Sequence, residues 1–152
     1  MRVLLQRVRY GRVAVDGETC GRIGPGLVAL VGIHRGDGAG EVRFCADKCA
    51  GLRIFPDDGG RFNRSVLEAE GGILAVSQFT LYADCRRGRR PSFSEAAPPA
   101  VAAVLFKAFV ERLRVEHGLH VECGRFGAHM DVELANDGPV TVLVESPRRE
   151  EG

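Results

Sequence analysis

The chain has no tryptophan and only two tyrosines, and aromatics make up 7% of its 152 residues. A module that holds single-stranded nucleic acid by stacking needs exposed aromatic platforms, so this composition argues against that class. Lysine is scarce as well: Lys48 and Lys107 are the only two, and every other basic side chain is arginine. Arginine matches phosphate bidentately, but a GC-rich genome enriches it equally well. The formal net charge of +1 carries no global signature of nucleic-acid binding. No apolar run approaches the ~20 residues of a membrane-spanning helix. Charges interrupt the apolar positions of MRVLLQRVRYGRV, which therefore does not read as a signal peptide.

Catalytic signatures are missing too. There is no G-x-S-x-G, H-E-x-x-H, P-loop or G-x-G-x-x-G. The four histidines are His34, His117, His120 and His129, and none is marked as a general base. Strand alternation places His129 opposite Phe126, Ala128 and Met130. A Ser-His-Asp enzyme is thus not expected. The five cysteines, Cys20, Cys45, Cys49, Cys85 and Cys123, are odd in number and scattered, with no C-x-x-C. They fit neither a disulfide framework nor a zinc site, and read as reduced thiols of a cytoplasmic protein, with Cys45 and Cys49 in the core. No cofactor or metal is expected.

What is present is an ordinary globular balance, 45% hydrophobic and 27% charged, at a length suited to one domain with a real core. Residues 2–8 and 12–15 read as strands, Asp16-Gly17 signals a hairpin turn, and 18–23 is a third strand. LVALVG (27–32) is a continuous apolar run, the mark of a buried strand. Residues 40–51 carry helical spacing. LRIF (52–55) is a short strand, PDDGGRFN a turn or flap, and GILAVSQFTLYA (72–83) a long strand. A loop follows to Pro98-Pro99, which suit the first turn of a helix running to about His117. The core stripe of that helix is expected at Val101, Leu105, Phe109 and Leu113. Residues 119–126, 128–135 and 139–145 complete the strands, and 146–152 reads as a disordered tail. This order predicts an α+β single domain, residues 1–145, with a mostly antiparallel or mixed sheet and two main helices packed on it. Several strands carry few charges, which leaves a sheet surface for a second subunit.

Two stretches stand out. SQFTL (77–81) closes a strand and offers N–H groups that suit an oxyanion hole. NDGPVT (136–141) puts Gly138-Pro139 where sheet is about to continue, although proline cannot donate to a ladder. A tight turn is one reading; a functional backbone surface is the other.

SQFTLYADCRRGRRPSFSEAAPP together with NDGPVT closely resembles the bacterial D-aminoacyl-tRNA deacylases. QRV, GPGLVALVG, LRIF and FGAHM extend the likeness over about residues 1–145. The resemblance implies hydrolysis of the ester that joins a D-amino acid to the terminal adenosine of tRNA, by a homodimer with active sites at the interface. It implies that Gly138 and Pro139, joined by a cis peptide, enter the partner's pocket and grip the substrate's α-amino group. An L side chain then strikes this backbone and a D side chain does not, while glycyl-tRNA is also accepted. It assigns Ser77, Gln78, Phe79 and Thr80 to the catalytic site, with backbone N–H groups polarising the carbonyl and the tRNA's own 2′-hydroxyl assisting attack. Phe126 and Met130 line an adenine pocket on the same resemblance, although plain core packing explains them as well. Arg7 braces the Gly-Pro loop across the dimer, or is a surface strand arginine. Asn136 fixes the loop by side-chain hydrogen bonds. The implied partners are the 3′-terminal adenosine and acceptor end of aminoacyl-tRNA, a second copy of the chain, and no membrane. The basic loop of Arg86, Arg87, Arg89 and Arg90 meets acceptor-stem phosphates or is merely solvated. A nucleic-acid-binding module without hydrolysis is the alternative.

Overall fold

The computed structural model describes residues 1–148. Arg2–Val15 forms one strand, β1, where alternation predicts two. Register shifts at Gln6/Val8 and Val8/Tyr10 against its neighbour let the ladder continue through the change of phase. The first half of β1 pairs antiparallel with β3 (Gly26–Gly32), from Arg2↔Gly32 to Val8↔Gly26. The second half pairs with β2 (Glu18–Ile23) through the Asp16-Gly17 turn.

A short hairpin, β4 (Phe55–Pro56) with β5 (Phe62–Arg64), contains the expected flap. Strand 52–55 is thus shorter and later than the sequence suggests. β3 continues in parallel to β6 (Gly72–Ser77) and β6 to β7 (Val121–Cys123), so the sheet is mixed. Of the 119–126 run only these three residues pair, opposite Ile73, Leu74 and Ala75 of β6. The last two predicted strands merge into β8 (Asp131–Glu145), which pairs with β1 alone and runs along its free side. Residues 128–130 stay outside the strand. The tail expected at 146–152 lies outside the described residues from 149 onward, and Ser146 N donates to the Met1 carbonyl at 3.0 Å.

Two helices cover one face, α1 (Ala39–Gly51) and α2 (Pro99–Val115). Cys45 and Cys49 of α1 and Phe109 and Leu113 of α2 are fully buried against Leu5, Leu27 and Ile73 of the sheet. Full burial of each large apolar side chain stabilises by about 1.5–3 kcal/mol. Burial also pushes the Cys45 thiol up to about 11, so it is inert, and all five cysteines are free. The stripe of α2 differs from its sequence reading. Val101 is exposed, and the buried set is Ala102, Phe106, Phe109, Val110 and Leu113. Steps of four residues rotate about 40° each around a helix, so a stripe in phase at Leu113 has drifted off the core by Val101.

Among the described residues no helix covers the opposite face. Val8, Val13, Val28, Leu74 and Val76 are buried there because the sheet curls over itself. Gly21 on β2 marks the closure: a Cβ at this position would lie 2.8 Å from the carbonyl oxygen of Cys123 on β7.

Candidate active site

β6 stops at Ser77 because its partner β3 stops at Gly32. Gln78 N spends itself on the Val31 carbonyl at 2.8 Å. Phe79–Tyr82 then winds into a 3₁₀ turn rather than the strand expected to residue 83. The first bond of the turn runs from Leu81 N to the Gln78 carbonyl at 3.2 Å. The N–H groups of Phe79 and Thr80 precede it, and the turn does not use them. Gln78 Nε2 donates to Thr80 Oγ1. Arg2 ties the far end of the turn to β1: its Nη1 donates to the Leu81 carbonyl at 2.8 Å and its guanidinium lies 4.6 Å from the Tyr82 ring centroid.

This turn forms one lip of a cleft of ≈ 740 Å³. Ser77, Gln78 and Phe79 line that lip, and Ala96–Pro99 with the start of α2 line its floor. Phe126 and Met130 line the far wall. Phe79 and Phe93 meet edge to face across 5.1 Å. The lining is predominantly apolar, and its polar groups are a hydroxyl, an amide and main-chain N–H. His129 is the exception, and the sequence reading missed it. Residues 124–130 turn through Gly127, at φ +77°, instead of forming a strand, so alternation does not apply and His129 lines the cleft beside Phe126 and Met130. It is exposed and makes no hydrogen bond among the described residues, so nothing orients it as a base. Phe93 was missed for a different reason: no chemical spacing marks an aromatic in a loop.

Two of the remaining histidines, His34 and His117, are structural. His34 Nδ1 accepts from Gly36 N at 2.9 Å and the ring packs on Tyr82. His117 Nε2 lies 2.7 Å from Asp47 Oδ1. Asp47 also takes a forked pair of bonds from Arg112, which with His117 holds its carboxyl down at about 2.

Arg7, Asn136, Gly138 and Pro139 form a second group. Gln6 pairs with Thr141 and Val8 with Asn136, so Arg7 alone faces four β8 residues, 137–140. The excess is pushed outward as a loop whose Gly138 and Pro139 are exposed and joined by a cis peptide. This resolves the oddity of a proline here: β8 is an edge strand, and the loop takes the proline nitrogen out of the ladder. Asn136 spans the loop, with Oδ1 accepting from Val140 N at 2.7 Å and Nδ2 donating to the Val140 carbonyl at 3.2 Å and Thr141 Oγ1 at 3.0 Å. Arg7 is no surface residue. It is 8% exposed, its Nε donates to the Asp137 carbonyl at 3.1 Å, and its Nη1 donates to the Ile54 carbonyl at 2.8 Å.

The two groups do not meet within one chain. Arg7 pairs with Leu27 and Ser77 with Val31, four residues further along β3. That is roughly 13 Å along the strand, and three strand spacings add roughly 14 Å across, a separation of about 20 Å.

Fold and cleft together define a class: an α+β domain with an apolar cleft edged by unspent main-chain amides and, among the described residues, no oriented nucleophile–base pair. The chain belongs to the D-Tyr-tRNA(Tyr) deacylase family, whose model matches residues 4–145. It is 59% identical over 146 residues to a D-aminoacyl-tRNA deacylase of Shouchella clausii, covering 96% of this chain and 99% of that one. A D-aminoacyl-tRNA deacylase of Symbiobacterium thermophilum is 56% identical over 148 residues, 97% of each chain. Among solved structures, one titled c-Myc DNA Unwinding Element Binding Protein superimposes with a TM-score of 0.91 at 38% identity, over 97% of this chain and all of the other.

Proposed function

We propose that this protein hydrolyses the ester bond of D-aminoacyl-tRNA, releasing the free D-amino acid and tRNA, and that it does so as a cytoplasmic homodimer. The deacylase domain spans residues 1–145. Membership of the family supports the reaction. The observation that carries the dimer is the separation of about 20 Å between the cleft and the Gly138-Pro139 loop. A substrate carbonyl held at Phe79 and an α-amino group held by the same chain's loop would be far too distant for one aminoacyl ester. A second copy removes the conflict, and β8, a fifteen-residue edge strand, is a surface that native proteins cover. Among the described residues no helix is long and apolar enough to cross a membrane.

In this reading the terminal adenosine lies between Phe126 and Met130. The ester carbonyl accepts from the N–H groups of Phe79 and Thr80, which stabilise the oxyanion as the tetrahedral intermediate forms. Ser77 and Gln78 shape the pocket, and Thr80 positions through its bond to Gln78. Water attacks with the help of the substrate's ribose 2′-hydroxyl, which accounts for the absence of an oriented side-chain base. The Gly138-Pro139 carbonyls of the second copy hold the ammonium, with Arg7 and Asn136 keeping the loop in place. With that group held, an L side chain collides with the Gly-Pro backbone and a D side chain has open space. Rejection by a wall is stronger than selection by a slack pocket. Glycine offers no side chain to reject, so glycyl-tRNA is cleaved as well.

The deciding experiment mixes two inactive variants. Gln78→Ala impairs the cleft. Gly138→Val impairs the loop, since a Cβ there meets Val140 Cγ2 at 2.8 Å and the residue sits at φ +144°. In a site shared between copies, each mixed dimer regains one intact site, and random mixing restores roughly a quarter of wild-type activity. No restoration with mixed dimers formed places the whole site in one chain. D-tyrosyl-, L-tyrosyl- and glycyl-tRNA assayed side by side test chirality: cleavage of the L ester, or sparing of glycyl-tRNA, sinks the wall. If no ester is cleaved by a folded protein, the alternative of a nucleic-acid-binding module takes over, a reading favoured by the exposed arginines of residues 86–90 and by the name of the 38% identical structural neighbour.

A further inference from the structure

The loop between Asp84 and Ser92 is a built projection. Asp84 N donates to the Ser92 carbonyl at 2.8 Å and Ser92 N to the Asp84 carbonyl at 2.9 Å, closing its base. Arg86 turns back onto this base. Its Nε and Nη2 each donate to the Asp84 carboxylate at 2.8 Å, and its N–H donates to Oδ1 at 3.1 Å. Asp84 is held down at about 2 by these bonds, so its charge persists at any working pH and cancels that of Arg86. Gly88, at φ +61°, turns the tip. Arg87, Arg89 and Arg90 are exposed and make no ion pair or hydrogen bond among the described residues. A chain with a net charge of +1 thus concentrates three uncompensated cations within four residues.

Their position matters as much as their charge. Both stems of the loop leave from the cleft. One follows the 3₁₀ turn that carries Phe79, and the other leads directly into Phe93, and these two rings pack together at the cleft mouth. Three residues of extended chain reach about 10 Å, so the tip stands just beyond the mouth. A nucleotide seated in the cleft sends its own strand outward past this point.

We propose that Arg87, Arg89 and Arg90 clamp the phosphates that immediately precede the terminal adenosine of the tRNA, with Arg86 as the strut that stiffens the loop. The inference rests on the tRNA-hydrolase reading above. The contact is electrostatic and blind to base sequence, so it raises affinity for every tRNA alike. It leaves the chemistry at the ester untouched.

The test is the triple variant Arg87→Ala, Arg89→Ala, Arg90→Ala, beside the corresponding triple Arg→Lys variant. With D-tyrosyl-tRNA the alanine variant raises KM by roughly ten- to a hundredfold at physiological salt while kcat holds, and its log–log salt slope shrinks by about 2 to 3, the value for losing three phosphate contacts. The lysine variant recovers most of the affinity. Binding of uncharged tRNA is measured in parallel and shows the same loss. An alanine variant with wild-type KM, salt slope and tRNA binding overturns the clamp while leaving the hydrolase intact. A fall in kcat at unchanged KM also overturns it, by making the loop part of the catalytic machinery. A wild-type protein that binds tRNA through this loop but cleaves no D-aminoacyl ester overturns the hydrolase and leaves the clamp standing.

Discussion

Arg7 Nε donates to the main-chain carbonyl of Asp137 across 3.1 Å, so a buried guanidinium on β1 holds the residue that precedes the exposed Gly138-Pro139 pair. The same side chain donates to Ile54, joining the β4–β5 hairpin to the loop. Arg7→Ala strips two carbonyls of their charged donor. We expect a loss of about 3–6 kcal/mol, taking each bond from a charged donor at about 1.5–3 kcal/mol, measured by urea unfolding. Arg7→Lys should restore only part of it, because an ammonium lacks the rigid fork that spans two acceptors.

In the proposed mechanism Thr80 acts through its main-chain N–H, whatever its side chain. Thr80→Ala should therefore lower kcat by less than roughly tenfold, well short of the 10²–10³ that follows loss of an oxyanion donor. Single-turnover deacylation of D-tyrosyl-tRNA reads this directly. Complete loss in a folded variant would restore covalent catalysis by the hydroxyl.

Gly21 lets β2 lie on β7. Gly21→Ala places a methyl 2.8 Å from a main-chain oxygen that cannot rotate away. The strand must shift, at a cost of about 1–3 kcal/mol. Tm should fall by roughly 3–10 °C for a domain of this size, as followed by circular dichroism.

Asp47 titrates at about 2 in the folded chain, against an ordinary 3.8, mainly because Arg112 hydrogen-bonds its charged form. A lowered carboxyl pKa adds stability that is complete above pH 3.8 and drains away as pH falls toward about 2. The pair is partly exposed, so solvent screening keeps the contribution below about 1 kcal/mol. Acid unfolding of wild type and Arg112→Ala should differ at neutral pH and converge at the acid end of that window. A gap that persists through the window would mean that Arg112 acts through packing instead.

Much of the fold was legible in the sequence. The apolar run 27–32 is the buried central strand β3, and the helices fall within about two residues of their expected bounds. Failures cluster where a neighbour, not the local pattern, decides. Residues 72–83 look like one strand, but the ladder ends where β3 ends. Residues 2–8 and 12–15 look like two strands, but β8 runs beside both and joins them through bulges. Alternation misplaced His129 because the chain around Gly127 turns.

The candidate site divides in the same way. SQFTL and NDGPVT were visible as unusual stretches, because a polar run closing an apolar strand and a proline inside a strand pattern are local departures from local rules. Their chemistry is written in residue type. What their sequence spacing could not reveal is geometry. Register along β3 and the order of strands decide that the two motifs lie about 20 Å apart. Pairing with β1 decides that Arg7 is buried and that four β8 residues bulge outward opposite it. The carboxylate of Asp84 decides which arginine of its loop is spent and which three are free. Composition and periodicity determine which segments can form strands and helices, since those depend on a few neighbouring side chains. Which groups meet depends on pairings between residues far apart in the chain, and only the tertiary structure decides those.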